Sequence, residues 1–110
     1  MGAMTRTVEQ DLAQVITSAV AGDDVAFARI VAAYEAEMHR ICIAVCGDQP
    51  TAADAVQSAW AIAWRKLDSI RQPDRLRPWL VAIAVNETRQ LMRKRNRRSR
   101  IEVAVEATDR

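Results

Sequence analysis

The chain has little of what sheets and tight turns are made from. Three of its 110 residues are glycine and three are proline, and its aromatics are three tryptophans, one tyrosine and one phenylalanine. So few of these residues leave little material for a sheet, and the abundance of Ala, Val, Leu, Ile, Arg and Glu points to helices. No run of about eighteen apolar residues occurs, so no membrane insertion is expected. The opening MGAMTRT lacks an apolar signal core and reads as a cloning scar ahead of Met4. Without an export signal the expected location is cytoplasmic, where Cys42 and Cys46 stay reduced.

Chemistry is also thinly supplied. His39, Cys42 and Cys46 sit at i, i+3 and i+7 near one helix face, but the chain has no further His or Cys to complete a zinc site. Two small thiols packed in a core beside a partly exposed histidine is the simpler reading, and no metal or other cofactor is expected. No Gly-rich phosphate loop, paired-carboxylate motif or motif-placed nucleophile appears. No catalytic residue is assigned, and the chain is not expected to be an enzyme.

What is present is a sharp division of charge. Residues 1–54 carry three basic and eight acidic side chains, net −5, whereas residues 55–110 carry thirteen basic and six acidic, net +7. Such asymmetry suggests two different partner surfaces. Pro78 to Arg100 concentrates it. Trp79, Leu80, Ile83, Ala84 and Leu91 form one buried helical face, and no acid lies between Glu87 and Glu102. A helix packed at one end and cationic at the other presents itself to a polyanion. Cations at a helix end also suit its macrodipole, so the run alone fits a solvated terminus too.

Punctuation in the sequence predicts four helices. Thr7 with Gln10 has capping-box spacing and opens a helix over 8–21, with Leu12, Val15, Ile16 and Ala19 inward. Gly22 stops it, and Asp23 or Asp24 caps a second helix to about Val45, striped by Phe27, Ile30, Val31, Tyr34, Met38, Ile41 and Val45. Gly47 ends that helix, Asp48–Pro50 turns, and Thr51 caps a third helix to about Leu67 whose inner face is Val56, Trp60, Ala63 and Leu67. A loop over 68–74 precedes a fourth helix beginning near Arg75–Pro78. The predicted architecture is an all-α compact bundle of four helices with short loops, the last two antiparallel. Residues 1–7 are expected to be disordered, 8–100 the helical domain, and 101–110 the start of a linker. Trp60 belongs to the core, Trp64 borders it with one edge wet, and Trp79 is placed to stack on an unpaired base, to wedge the last two helices together, or to do both.

At this point the residues carry a resemblance. DAVQSAWAIAWRKLDSIR, a short loop, then RLRPWLVAIAVNETRQLMRKRNRR is similar to region two of an extracytoplasmic-function sigma factor. That pattern is an Asp-x-x-Gln-Glu helix leading to an aromatic, then Ala-Leu-Asp-x-Phe-Arg. A loop, Arg-x-Trp-Leu-x-x-Ile-Ala-x-Asn and an Arg-rich end follow. The resemblance covers about 23–98, and the helix-turn-helix domain of the family has no counterpart here. It implies a promoter-melting domain, cut from a longer protein, that binds core RNA polymerase and opens the minus-ten element.

Carried over by position, the resemblance implies that Asp54, Gln57, Ser58, Ala61 and Arg65 face the β′ clamp coiled coil of the polymerase. Arg71, Gln72, Asp74, Arg75 and Leu76 match the loop that captures a flipped base of the non-template strand, and such a base offers both its face and its pairing edge. Arg77, Trp79, Asn86, Arg89, Arg93, Lys94 and Arg97 match the helix lying along promoter DNA, Asn86 reaching a base and the cations mostly gripping phosphate. Three departures stand out. Ser58 replaces the usual Glu, Gln90 replaces a common Asp, and Gln72-Pro73-Asp74 stands where Gly-Asp is frequent. A helical protein-interaction domain, with an inhibitory anti-sigma factor or another regulator as main partner, is the alternative; apolar faces would then stay partly open for partner helices.

Overall fold

A computed structural model describes residues 2–109, with side chains over 11–108. Among these residues the chain forms four α-helices and no strand: α1 (Gly2–Val20), α2 (Asp24–Cys46), α3 (Gln49–Lys66) and α4 (Leu76–Asp109). Two short 3₁₀ turns, Leu67–Ser69 and Pro73–Arg75, link α3 to α4.

The boundaries have local causes. Gly22 and Gly47 hold φ values of +101° and +68°, which side-chain-bearing residues rarely adopt. The Gly47 N–H closes α2 by donating to the Ile43 carbonyl at 2.7 Å. Asp23, in extended backbone, caps α2 by accepting from the N–H groups of Val25 and Ala26 at 3.0 and 3.2 Å.

The start of α3 differs from the sequence expectation. Asp48, not Thr51, is its cap, and Gln49-Pro50 is the first turn rather than a loop. The Asp48 carboxylate accepts from both the N–H and the hydroxyl of Thr51, so the better acceptor took the capping position. Proline fits there because a first-turn N–H has no helical partner.

Both chain ends are more helical than expected. α1 begins at Gly2, not near residue 8, and the side chains of Thr7 and Gln10 lie outside those described. α4 continues past Arg100 to Asp109, because no glycine or proline interrupts it and each added residue closes another backbone hydrogen bond. Its last turns leave Ile101 and Val103 each 63% exposed, so they are an arm rather than part of the bundle. α4 alone is about 51 Å long at 1.5 Å per residue, and the molecule measures 70 Å along its long axis against 29 and 20 Å across.

α3 is the most enclosed helix of the bundle. Ala52, Ala55, Ala59 and Ala63 recur at steps of three and four and are fully buried, letting the α2 and α4 backbones approach closely. Val56, Trp60 and Leu67 complete its inner face. Ile30 and Met38 from α2 and Leu76, Leu80 and Ala84 from α4 meet them there. Each large side chain so buried contributes about 1.5–3 kcal/mol of transfer free energy. Phe27 sits edge-on to both Trp60 and Trp64, with ring centroids 5.8 and 4.8 Å apart. Val45, placed on the α2 stripe by sequence, is instead exposed at the end of that helix, and Cys42 and Cys46 turn inward.

Cys42 is buried in the α2–α4 contact, its thiol 3.6 Å from the Ala84 carbonyl, which also accepts from the Thr88 hydroxyl at 2.8 Å. Burial pushes the Cys42 thiol pKa up, a trend partly opposed by the neighbouring Thr88 hydroxyl. Cys46 lies 3.3 Å from the Asp48 carbonyl. Among the described residues no cluster of His, Cys, Asp and Glu forms a metal-binding group. None of these helices is long and apolar enough to cross a membrane.

Candidate nucleic-acid interface

α3 and α4 present two distinct solvent-facing rows. On α3, Asp54, Gln57, Ala61 and Arg65 are all exposed and follow one another at steps of three and four, so they share a face opposite the buried alanines. Ser58 lies at the edge of this row, one turn from Asp54 and Ala61, but is less exposed. It is half-buried and lines a groove of about 670 Å³ together with Glu87, Leu91, Lys94 and Arg97 of α4.

On α4, Trp79, Asn86 and Arg93 recur every seven residues, about 10.5 Å apart along the axis at 1.5 Å per residue. Asn86, Arg89, Arg93, Lys94 and Arg97 are exposed. Trp79 is half-buried and packs against the core, so only part of the ring remains open. The cations lie beyond the packed half of the helix, where no hydrophobic partner competes for them.

Between the two rows runs the linking segment. Arg71, Gln72, Asp74 and Arg75 are exposed, with Pro73 half-buried beneath them. Both 3₁₀ turns pack on α1, which fixes this segment against the bundle. Leu76 behaves differently from its neighbours. It is 0% exposed and belongs to the core, so it offers no surface to a strand, and the exposed part of the loop ends at Arg75.

Two ion pairs brace the arrangement, and neither was evident in the sequence because each joins residues at least forty positions apart. Arg77 on α4 donates to the Glu37 carboxylate on α2, which holds its guanidinium more firmly protonated. Arg95 lies 3.6 Å from Asp48. The Asp48 carboxyl is held below the usual carboxylate range by the hydroxyl and N–H of Thr51, with Arg95 adding to the effect. Asp48 with Arg95 at one end, and Ser58 with Leu91 further along, make α3 and α4 antiparallel. Glu37 with Arg77, and Cys42 with Ala84, make α2 and α4 parallel.

The helical bundle thus displays an exposed row on α3 and a cationic row on α4. Residues 30–98 match the sigma-70 region 2 family, and the chain belongs to that family. It is a sigma-70 region 2 domain. It is similar to a probable RNA polymerase sigma factor, RfaY, of Xanthomonas campestris pv. campestris, with 32% identity over 92 residues, or 84% of this chain. The chain spans 23% of the length of that relative. No solved structure matches it.

Proposed function

We propose that this domain binds core RNA polymerase through the α3 row and recognises and melts the minus-ten promoter element through the 71–75 segment and α4. The observation that carries the reading is the stripe of Trp79, Asn86 and Arg93 on one face of α4, directly after the exposed loop. It brings together an aromatic edge, an amide suited to a paired contact with a base, and phosphate-binding cations. Asp54, Gln57, Ala61 and Arg65 remain free on the neighbouring helix for the β′ clamp coiled coil. The melting proposed here needs no bond chemistry: it captures a base already splayed from the stack and holds the opened strand by its backbone.

Titration against a fluorescent single-stranded minus-ten oligonucleotide at several salt concentrations tests this, with a scrambled strand and a purified clamp fragment alongside. Preference for the promoter strand that is lost on changing Arg71–Arg75 supports it. Binding to neither DNA nor clamp would falsify it.

A second reading has its own support. Phe27, Ala28, Val31 and Trp64 line an apolar hollow of about 390 Å³ at the α2–α3 contact, and Trp64 remains 43% exposed. Such a surface suits an apolar helix of a regulator, including an anti-sigma factor. Capture of that regulator with no DNA binding under any salt condition would favour this reading.

A further inference from the structure

Two exposed apolar surfaces among the described residues lie at opposite ends of the bundle. The first is the hollow between α2 and α3, lined by Phe27, Ala28, Val31, Trp64 and the acid Asp24. The second is the arm of α4. Ile101, Ala104, Val105 and Thr108 recur there at steps of three and four, so they share one helix face, and all are exposed. Arg97 and Arg98 stand one turn before Ile101 on the same face, whereas Glu102 and Glu106 lie to one side of it. The arm therefore reads basic then apolar, and the hollow is apolar beside an acid. A helix outside a bundle gains little from its own turns and is stabilised when its apolar face is covered. The chain does not cover its own arm with this hollow. α4 runs parallel to α2, and its Arg95 lies beside Asp48, just past the α2 C-terminus. The hollow sits on the first two turns of α2, so the arm projects away from it. Roughly 24 Å of helix separates Val31 from Gly47 at 1.5 Å per residue.

We infer that the arm of one copy of this chain seats in the hollow of a second copy, Ile101 and Val105 against Phe27, Val31 and Trp64, with Arg98 toward Asp23 and Asp24. Charge selects this occupant. Residues 1–54 carry net −5 and residues 55–110 net +7, so the hollow end of one copy attracts the arm end of another. The two surfaces are unlike, so two copies satisfy the contact by exchanging arms about a two-fold axis, and otherwise it propagates from copy to copy. A contact of this size is weak and forms at high concentration. The inference goes beyond the DNA-binding reading and does not rest on it, because neither the hollow nor Ile101 and Val105 belongs to that site.

Sedimentation equilibrium of the whole chain, over a concentration series reaching about 1 mM, tests this. The wild-type mass is expected to rise above that of a single chain. Ile101→Asp lies outside the bundle, and Ala28→Lys is at an exposed position in the hollow, so both leave the core intact. Each is expected to weaken association at least about tenfold, with the helical circular-dichroism signal unchanged. An equimolar mixture of the two variants is expected to associate more than either alone, because one chain keeps its arm and the other keeps its hollow. A single-chain mass throughout the wild-type series overturns the inference and leaves the hollow to the helix of a regulator. Association lost in Ile101→Asp but retained in Ala28→Lys also overturns it, since the arms then pair with each other. A mixture that associates no better than its components overturns the exchange of unlike surfaces.

Discussion

Asp48 caps α3 and, 3.6 Å away, pairs with Arg95 of α4, so one carboxylate joins the start of the enclosed helix to the cationic half of the exposed one. The bundle thus aims the basic segment as well as supporting it. Arg95 sits one turn beyond Leu91, the last α4 residue packed against the core, where the helix begins to leave the bundle. Beyond that point the remaining cations project along the continuing helix.

This pair has a definite pH signature. The folded Asp48 carboxyl is held below its ordinary value by Thr51 first and Arg95 second. A depressed carboxyl stabilises the fold at pH above its unfolded pKa, about 3.9, and loses that contribution as pH falls through the folded value. Asp48→Ala is expected to lower the urea midpoint at pH 7, and its difference from wild type to shrink steadily below about pH 4. Parallel urea titrations at pH 7 and pH 3 check this. A difference that stays constant between the two would show that the carboxylate's charge is irrelevant.

Glu37 and Arg77 make a second bridge, from α2 to the first turn of α4. With its guanidinium engaged by Glu37, Arg77 is expected to be a poorer phosphate ligand than the other α4 cations under the proposed reading. Arg77→Ala is therefore expected to reduce oligonucleotide affinity less than Arg93→Ala does. Glu37→Ala, which frees Arg77, is expected to raise affinity for a scrambled strand. Titrations of the three variants decide the matter, and equal losses for the two arginine variants would refute the assignment.

Leu76 and Arg75 are adjacent but have opposite roles. Leu76 is fully buried, whereas Arg75 faces solvent at the end of the 3₁₀ turn. Leu76→Ala is expected to cost about 2–5 kcal/mol of stability, the range for truncating a core leucine. Arg75→Ala is expected to stay within about 0.5 kcal/mol, as surface changes usually do. Chemical denaturation of both variants measures this directly. A stable Leu76→Ala protein would mean that the first turn of α4 does not support the bundle.

Much of the fold was legible because its signals are local. Glycines in the left-handed region mark two helix ends, Asp23 marks a start, and stripes such as Leu12–Ile16–Ala19 mark buried faces. Features that depend on tertiary partners were less visible. Thr88 reads as polar, yet its hydroxyl returns to the Ala84 carbonyl within its own helix, which lets it sit fully buried at the Ala84–Leu91 spacing. Ser58 lies one turn from Asp54 and Ala61, and only the packing of α4 beside it leaves it half-buried where they are exposed. Leu76 was legible too, since it precedes Leu80 by four and Ile83 by seven and so continues the buried stripe, but the resemblance assigned it to the loop. Charge clustering from Arg89 to Arg100 was plain from sequence, but its division between an open stripe and a groove needed the helix packing.

Arg93 and Asn86 lie seven residues apart on the α4 stripe and are expected to fail in different ways. Arg93 is exposed and cationic, suited to phosphate, which every sequence presents alike. Arg93→Ala is expected to weaken promoter and scrambled strands equally and to lower the single-strand salt slope by about 0.7. Asn86 has an uncharged amide whose donor and acceptor distinguish bases. Asn86→Ala is expected to leave the slope unchanged and to cost about 1–3 kcal/mol of discrimination between the two strands. Both slopes and both affinity ratios come from the same set of salt titrations. If Arg93→Ala changed the ratio while Asn86→Ala changed the slope, the roles would be exchanged, and the base-reading part of the stripe would lie at its cationic end.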